Sequence, residues 1–170
     1  MYDANLVGLK RRYLESEIQR LAFGHGKMAF VSGPRQCGKT TLAKRLLRQR
    51  SGRDQNWDDV TFRRAWVKDP AAIVPVATRA RPLLILDEVH KARGWKRVLK
   101  GLYDTLVAPT DILVTGSARL NVYKKGGDSL LGRYLNFRLH PFTLREVDHR
   151  TPGEASDLLQ GLNERTLRRK

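Results

Sequence analysis

The chain has 170 residues, a length that suits one compact domain with a sheet and its covering helices and leaves little room for a second. Its formal net charge of +16 attracts polyanions such as DNA, RNA, nucleotide phosphates or acidic proteins. The single cysteine excludes an internal disulfide, and no Cys/His cluster has the spacing of a zinc site. No apolar stretch reaches the length of a membrane span, which predicts a soluble, cytoplasmic protein with no membrane partner.

The chain opens with an expected helical segment, residues 1–26, that leads into the main domain. Within it, residues 9–23 carry apolar side chains at helical spacing, and Gly24 and Gly26 follow as helix-ending residues. A short apolar run at residues 28–32 then predicts a strand, and the spacing of leucines in residues 42–47 predicts the next helix. A strand, a loop and a helix are therefore expected in that order.

The loop between that strand and helix matches the phosphate-binding pattern G-x-x-x-x-G-K-[ST] in its expected context. Backbone N–H groups of such a loop surround an anionic phosphate, and a side chain at the second glycine would obstruct the approach. The lysine supplies a cation for the β- and γ-phosphates of ATP, and the hydroxyl of the last residue is placed to bind Mg²⁺. The candidate nucleotide contacts are Gly33, Pro34, Arg35, Gln36, Cys37, Gly38, Lys39, Thr40 and Thr41.

Several of these residues also have plainer interpretations. Arg35 and Gln36 fit exposed loop positions better than catalytic ones, and Thr41 fits a helix residue beside the site better than a second metal ligand. A thiol near a helix N-terminus can have a lowered pKa, yet an inert Cys37 is the preferred interpretation.

Residues 51–76 are predicted to be irregular and then helical. Residues 51–59 are polar, with Trp57 as the candidate start of a short strand, and two short helical pieces follow, with Asp69 and Pro70 as a cap and first-turn pair. The apolar run of residues 83–86 predicts a strand buried on both faces.

That strand delivers two acids to its carboxyl end, where ligands bind in open α/β sheets. Asp87 is the candidate Mg²⁺ ligand together with Thr40, and Glu88 is the candidate base that polarises the attacking water. His90 follows closely but is interpreted as a surface or packing residue. An apolar strand followed by two acids also arises by chance, so the roles assigned to Asp87 and Glu88 depend largely on the phosphate loop upstream.

Further apolar runs at residues 112–114 and 134–139 complete a pattern of alternating strands and helices, which predicts an α/β fold with a mainly parallel sheet. Thr115 and Ser117 end one of these strands, where a polar side chain can orient water, although an ordinary turn around Gly116 explains them equally well. Arg133 is the candidate arginine that stabilises the transferred phosphoryl charge, in the same chain or in a neighbouring copy, and Arg119 is a weaker candidate.

Four segments together resemble the prokaryotic AAA-type ATPases, in which an AAA domain is often followed by a C-terminal domain of unknown function. They are GPRQCGKTTLAKRLL at residues 33–47, LLILDEVHKARGWKRVLKGLYD at 83–104, ILVTGSARL at 112–120 and LLGRYLNFRLHPFTLREV at 130–147. The resemblance implies a P-loop NTPase sandwich of three layers with strand order 5-1-4-3-2, and hydrolysis of Mg·ATP assisted by Glu88. It also implies that Thr115 or Ser117 occupies the family's sensor position. It places the ATPase domain at residues 1–150, and residues 151–170 are expected to be a basic helix or tail at a truncation point.

Three functions remain open at this stage. The first is an ATPase that couples hydrolysis to a conformational output, with DNA or RNA and further copies of the chain as its candidate partners. The second is a small-molecule or nucleotide kinase, in which Arg119, Lys124 and Lys125 would belong to a lid, although the acidic pair argues against it. The third is a non-hydrolysing ATP-dependent switch or a nucleic-acid-binding module.

Overall fold

The computed structural model describes residues 11–76, 80–117, 120, 130–143 and 146. Within them, five strands form one parallel sheet with helices on both faces. The strands are β1 (Met28–Ser32), β2 (Gly52–Asn56), β3 (Leu83–Asp87), β4 (Asp111–Gly116) and β5 (Tyr134–Arg138). The helices are α1 (Tyr13–Glu17), α2 (Lys39–Arg48), α3 (Val60–Lys68) and α4 (Trp95–Asp104), with 3₁₀ turns at Phe23–His25, Pro70–Ile73 and Val89–Lys91.

The order of strands across the sheet is β2-β3-β4-β1-β5, and every neighbouring pair is parallel. This confirms the predicted α/β class and the order 5-1-4-3-2. Because all strands run the same way, their carboxyl ends share one edge of the sheet, called here the carboxyl edge, and their starts share the amino edge. The loop after β1 and the acids of β3 therefore meet at the carboxyl edge.

Alternation along the central strands builds two separate cores. In β3, Leu84 and Leu86 face the core under α3 and α4, whereas Leu83 and Ile85 face the core under α1 and α2. All four side chains are fully or almost fully buried, as expected for a parallel sheet covered on both sides. The result is the predicted sandwich of three layers.

Two local expectations need correction. Trp57 does not start a strand: β2 occupies the preceding polar residues, and Trp57 follows it and packs edge-on against Phe62 and Trp66. From residue 11 onward, where the structure describes it, the N-terminal helix is regular only over α1 and continues as a π-helical turn at Ile18–Ala22. Residues 1–10 of the predicted N-terminal segment, the predicted tail at residues 151–170 and the candidate lid residues Arg119, Lys124 and Lys125 lie outside the described residues.

The capping prediction at Asp69 is confirmed. Its side chain accepts a hydrogen bond from the backbone N–H of Ala71 at 3.0 Å, and Pro70 opens the 3₁₀ turn that follows. This arrangement satisfies an otherwise unpaired donor at the start of the turn.

Candidate active site

The phosphate loop, residues 33–38, connects the buried strand β1 to the start of α2. Two of its residues have left-handed backbone conformations, Gln36 at φ +61° and Gly38 at φ +92°. Left-handed residues interspersed in such a turn direct successive backbone N–H groups to one side and form a concavity that binds anions. Gly38 is also the N-cap of α2, so the positive end of that helix dipole faces the same concavity.

Gly33 begins the loop where the backbone after β5 passes very close. A Cβ atom at Gly33 would stand 2.3 Å from the carbonyl oxygen of Leu139 and 2.9 Å from Cys37 Sγ. Leu139 is held there by its N–H, which donates to the carbonyl of Ser32 at 2.8 Å. Glycine is therefore required at this position by the close packing of two backbone segments.

The side chain of Lys39 is buried along the loop that it follows. Its ammonium nitrogen donates to the carbonyl oxygens of Gly33 at 3.1 Å and Pro34 at 2.6 Å, and lies 3.9 Å from Cys37 Sγ. Neither carbonyl carries a formal charge, so these contacts leave the positive charge uncompensated. An anionic phosphate is a favourable partner for an ammonium group in this position.

Asp87 is the point at which the site's elements meet. Its Oδ2 atom accepts a hydrogen bond from Thr40 Oγ1 on α2 at 3.1 Å, and its Oδ1 atom accepts one from Thr115 Oγ1 on β4 at 2.5 Å. Asp87 is 6% exposed and Thr115 is fully buried. The structure thus brings together the predicted acid, the last residue of the phosphate-loop motif and one of the two predicted sensor residues.

A further contact to Asp87 comes from Asn56, which the sequence reasoning did not identify. Asn56 ends β2, and its side-chain N–H donates to Asp87 Oδ2 at 3.3 Å. Its Oδ1 atom accepts from the backbone N–H of Asp58 at 2.8 Å, which orients the amide group. The available signal was its place at the end of a strand beside β3, but β2 itself is too polar to be recognised as a strand.

Glu88 follows Asp87 but leaves the strand with a left-handed backbone, at φ +58°. Its N–H donates to the carbonyl of Thr115 at 2.9 Å. Its carboxylate lies 3.6 Å from His90 Nε2 and 3.8 Å from Lys91 Nζ. The side chain is 24% exposed, which leaves it accessible to water at the carboxyl edge.

His90 and Ser117 extend the surroundings of Glu88. Ser117 Oγ lies 3.5 Å from His90 Nε2, the ring nitrogen that also faces the glutamate. The two predicted sensor residues therefore have different neighbours, since Thr115 contacts Asp87 and Ser117 contacts His90. The interpretation of His90 as a surface or packing residue did not include this contact, because Ser117 is distant in sequence.

Arg133 does not lie with these residues. Its carbonyl accepts from the N–H of Met28, the first residue of β1, and its guanidinium forms an ion pair with Asp104 at 2.7 Å. This position is at the amino edge, separated from the phosphate loop by the length of β1, about 13 Å. The prediction that Arg133 contacts the nucleotide of its own chain is therefore wrong, and a role in a neighbouring copy stays a prediction. Arg119 lies outside the described residues.

The remaining loop residues differ in exposure. Pro34, Arg35 and Gln36 are exposed, in agreement with the plainer interpretation of the last two, whereas Cys37 is buried. A cavity of about 340 Å³ adjoins the loop on the α2 side. Its lining includes Arg12, Gln36, Gly38, Thr41, Arg45 and Phe142.

The oxygen donors at Thr40 and Asp87 fit a magnesium ion. Mg²⁺ is bound by hard oxygen ligands and uses few protein groups when substrate phosphates and water complete its octahedron. Among the described residues, no group of three or more His, Cys, Asp or Glu side chains is placed to hold a metal ion. One hydroxyl and one carboxylate beside the phosphate loop are thus the donor set that this part of the chain offers.

A family comparison agrees with the fold and the loop geometry. The family model described as an AAA domain matches residues 25–148. The chain belongs to this AAA domain family. Its curated relatives include uncharacterized proteins of Mycobacterium tuberculosis, 28% identical over 148 residues, and of Haemophilus influenzae, 25% identical over 131 residues.

This AAA domain spans only part of those relatives. The match with the Mycobacterium tuberculosis protein covers 82% of the present chain and 30% of that protein, and the match with the Haemophilus influenzae protein covers 70% and 32%.

Solved structures share the fold of this AAA domain. A Walker-type ATPase of Pyrococcus abyssi aligns with a TM-score of 0.57 and 16% identity, over 81% of this chain and 55% of that one. The ORC1 protein of Aeropyrum pernix, solved in complex with DNA, aligns with a TM-score of 0.55 and 14% identity, over 89% and 52%. DnaA of Aquifex aeolicus, solved with bound AMPPCP, aligns with a TM-score of 0.51 and 16% identity, over 74% and 44%. These likenesses show the P-loop NTPase fold.

None of the helices in the described ranges has both the length and the apolar composition needed to cross a bilayer.

Proposed function

We propose that this domain binds Mg·ATP and hydrolyses it to ADP and phosphate. The observation that carries the proposal is the position of Asp87, whose carboxylate receives one hydroxyl from the phosphate-loop helix and another from the neighbouring strand. An acid that only ended a strand would need neither contact. Here it lies beside the anion-binding loop, at the sheet edge where ligands bind in open α/β folds.

The loop residues would bind the triphosphate. The backbone N–H groups of residues 33–38 and the N-terminus of α2 would hold its anionic oxygens, and Lys39 would exchange its carbonyl contacts for the β- and γ-phosphates. The cavity beside Gly38 and Thr41 is large enough to hold the nucleoside part, which would place Phe142 and Arg45 next to it.

Thr40 and Asp87 would hold the metal ion. When bound, Mg²⁺ neutralises charge that develops on the phosphate oxygens. Thr115 and Asn56 would orient Asp87 for this task through the hydrogen bonds that they donate to its two oxygens.

Glu88 would accept a proton from, or polarise, the attacking water. Glu88 follows Asp87 in sequence and its carboxylate is partly open to solvent; His90 lies 3.6 Å from that carboxylate, and Ser117 contacts His90. A positioned general base contributes a factor of about 10² to 10⁴ to the rate. Replacing the carboxylate by an amide should therefore reduce turnover by about that factor while ATP binding is retained.

The test compares ATP binding by calorimetry with phosphate release in the presence of Mg²⁺. We expect Lys39→Ala to lose binding and Glu88→Gln to bind ATP without releasing phosphate at the normal rate. Two controls change the same residue types away from the site: Lys68→Ala, an exposed lysine that ends α3, and Glu17→Gln, whose carboxylate pairs with Arg20. Both controls should behave like wild type.

The same measurements separate the alternatives. Binding without release in the wild type would favour a non-hydrolysing switch, and phosphate transfer to an added small molecule would favour a kinase. Unchanged release in Glu88→Gln would reject Glu88 as the base. An absence of ATP binding in the wild type would reject the proposal as a whole.

A nucleic-acid partner and a homo-oligomer are further proposals. The charge of +16 supports a nucleic-acid partner, because Lys and Arg residues neutralise the phosphates of DNA and RNA. Such binding releases counterions, so the affinity should fall steeply as the salt concentration rises. A salt-insensitive affinity for DNA would argue against a phosphate-binding surface. Sedimentation with and without a non-hydrolysable nucleotide tests self-association, which a role of Arg133 in a neighbouring copy requires.

A further inference from the structure

Arg12 is a buried arginine that lines the cavity beside the phosphate loop and to which the proposed reaction gives no role. It lies immediately before α1, and only 4% of it is exposed. Its Nη1 atom donates to the carbonyl of Cys37 in the phosphate loop at 2.8 Å. Its Nε atom donates to Glu146 Oε1 at 2.9 Å, and its Nη2 atom donates to the carbonyl of His140 at 2.5 Å.

These contacts join three separate parts of the chain. One is the N-terminal segment, the second is the phosphate loop, and the third is the segment that follows β5. The guanidinium also lies 4.2 Å from the centre of the Phe142 ring, at cation–π distance. Since the planar guanidinium presents its donors in a fixed arrangement, a movement of one acceptor must be accommodated by the others.

On the loop side, the contact is close to the anion-binding N–H groups. Arg12 binds the carbonyl of the peptide that links Cys37 to Gly38, so it fixes the orientation of the N–H on the same peptide plane. A Cβ atom at Gly38 would stand 3.5 Å from Arg12 Nη1, which shows how closely the guanidinium approaches the start of α2.

On the far side, Glu146 is held by groups from two segments. Besides Arg12, its carboxylate accepts hydrogen bonds from the backbone N–H of Thr143 at 3.0 Å and of Tyr13 at 3.3 Å. Burial raises the pKa of Glu146, but the Thr143 N–H, the Arg12 guanidinium and the Tyr13 N–H outweigh it, so the pKa lies below the ordinary value. The carboxylate is thus ionised at neutral pH and pairs with a charged arginine.

We propose that Arg12 is a positioning residue of the nucleotide site, which couples the conformation of the phosphate loop to residues 140–143 and Glu146, which follow β5. The coupling acts through the bond to Cys37 on one side and through His140 and Glu146 on the other. This inference rests on the proposed binding of Mg·ATP at the loop. Because coupling free energies are reciprocal, nucleotide binding should order the segment, and disrupting the segment's link to Arg12 should change nucleotide binding.

The experiment combines calorimetry with hydrogen exchange on the full chain. We expect Mg·ATP to slow amide exchange at His140, Phe142 and Thr143, the residues of 140–143 that carry a backbone N–H, in the wild type. Arg12→Lys keeps the charge but cannot reach three acceptors at once, so we expect about tenfold weaker Mg·ATP binding and a loss of the added protection. Glu146→Gln leaves Arg12 and its loop contact in place, so binding should change less and the added protection should still diminish.

Arg50→Lys is the matched control. Arg50 also forms a short ion pair with a buried carboxylate, Asp111 at 2.7 Å, and lies against an aromatic ring, Phe23, but it does so at the amino edge. The Arg50→Lys variant should lose about as much stability as Arg12→Lys. Its affinity for Mg·ATP and the protection that the nucleotide adds after β5 should equal those of the wild type. This difference separates a positioning role from a structural one.

The outcomes are distinct from those that test the proposed function. If the wild type fails to bind Mg·ATP, the proposed function fails and this inference fails with it. If the wild type binds and Arg12→Lys binds equally well, or if bound nucleotide leaves residues 140–143 unprotected, only the coupling is rejected. Should Arg12→Lys not fold, the wild-type and Glu146→Gln exchange measurements decide the question.

Discussion

The contact between the phosphate loop and the backbone after β5 can be tested at Gly33. In Gly33→Ala the added Cβ would stand 2.3 Å from Leu139 O. One of the two backbone segments would have to move by about 1 Å to restore an ordinary contact distance. Such overpacking costs about 1–3 kcal/mol, and weakening the 2.8 Å hydrogen bond from Leu139 to Ser32 adds about 1 kcal/mol. Gly33→Ala should therefore lower the free energy of unfolding by about 2–4 kcal/mol.

Urea denaturation measures this loss. With a slope of about 2 kcal/mol per molar urea, the midpoint should fall by about 1–2 M. The control is Gly101→Ala, because a Cβ at Gly101 meets no heavy atom within 4 Å and α4 gains from alanine by about 0.5–1 kcal/mol. A displacement of the loop by about 1 Å can also reduce turnover by about 100-fold. A midpoint for Gly33→Ala equal to that of the wild type, with normal ATP turnover, would refute the argument.

Three further predictions concern separate parts of the molecule. Thr115→Val keeps the shape of a buried side chain but removes the donor to Asp87 Oδ1, so the magnesium concentration needed for half-maximal ATP binding should rise; an unchanged titration would show that this bond does not orient Asp87. Arg133→Ala breaks the ion pair with Asp104 at the amino edge and should leave ATP affinity and turnover of dilute protein unchanged. A loss confined to concentrations at which the chain self-associates would instead support a role in a neighbouring copy. Glu146→Gln should make the free energy of unfolding depend less on pH in the acid range. The lowered pKa of Glu146 contributes stability that is present above the ordinary pKa and is lost as the pH falls below about 4.5. Parallel urea midpoints for variant and wild type from about pH 6 to pH 3 would contradict that assignment.

The central part of the fold follows from local patterns in the sequence. Residues 28–31 and 83–86 are apolar because parallel strands are covered on both faces, and this leaves a strong signal in the sequence. The phosphate loop has fixed spacing because its geometry depends on particular residues. The strand order came from the family resemblance.

The features that were missed depend on tertiary contacts. β2 consists of Gly52, Arg53, Asp54, Gln55 and Asn56, which have poor strand propensity. It is an outermost strand of the sheet, with a neighbour on one side only. Gly52 is needed there because a Cβ would stand 2.0 Å from the carbonyl of Leu83, a close approach that only the pairing reveals. Asn56 was missed along with the strand that positions it.

Arginine roles were the least predictable part of the site. In a chain with 33 Lys and Arg residues, sequence position alone does not distinguish a buried arginine that contacts several segments from an arginine in a surface ion pair. Arg133 follows a glycine just before a strand, but it lies at the start of that strand and hence at the wrong edge of the sheet. Arg12 is more than twenty residues from the phosphate loop in sequence, and only the packing of α1 beside α2 brings it there.

The two acids that end β3 are adjacent in sequence but have separate surroundings, because the backbone changes conformation between them. Asp87 keeps the strand geometry, and its side chain faces α2, whereas Glu88 adopts a left-handed conformation. Such a conformation costs a non-glycine residue about 1–2 kcal/mol and must be offset by its surroundings, which here include the bond from its N–H to Thr115 O. Since Glu88→Gln leaves the backbone and that bond in place, a loss of turnover in this variant reports on the carboxylate itself. A glycine at the same position would relieve the strain as well, so its effect on turnover would combine chemistry with a change in the turn.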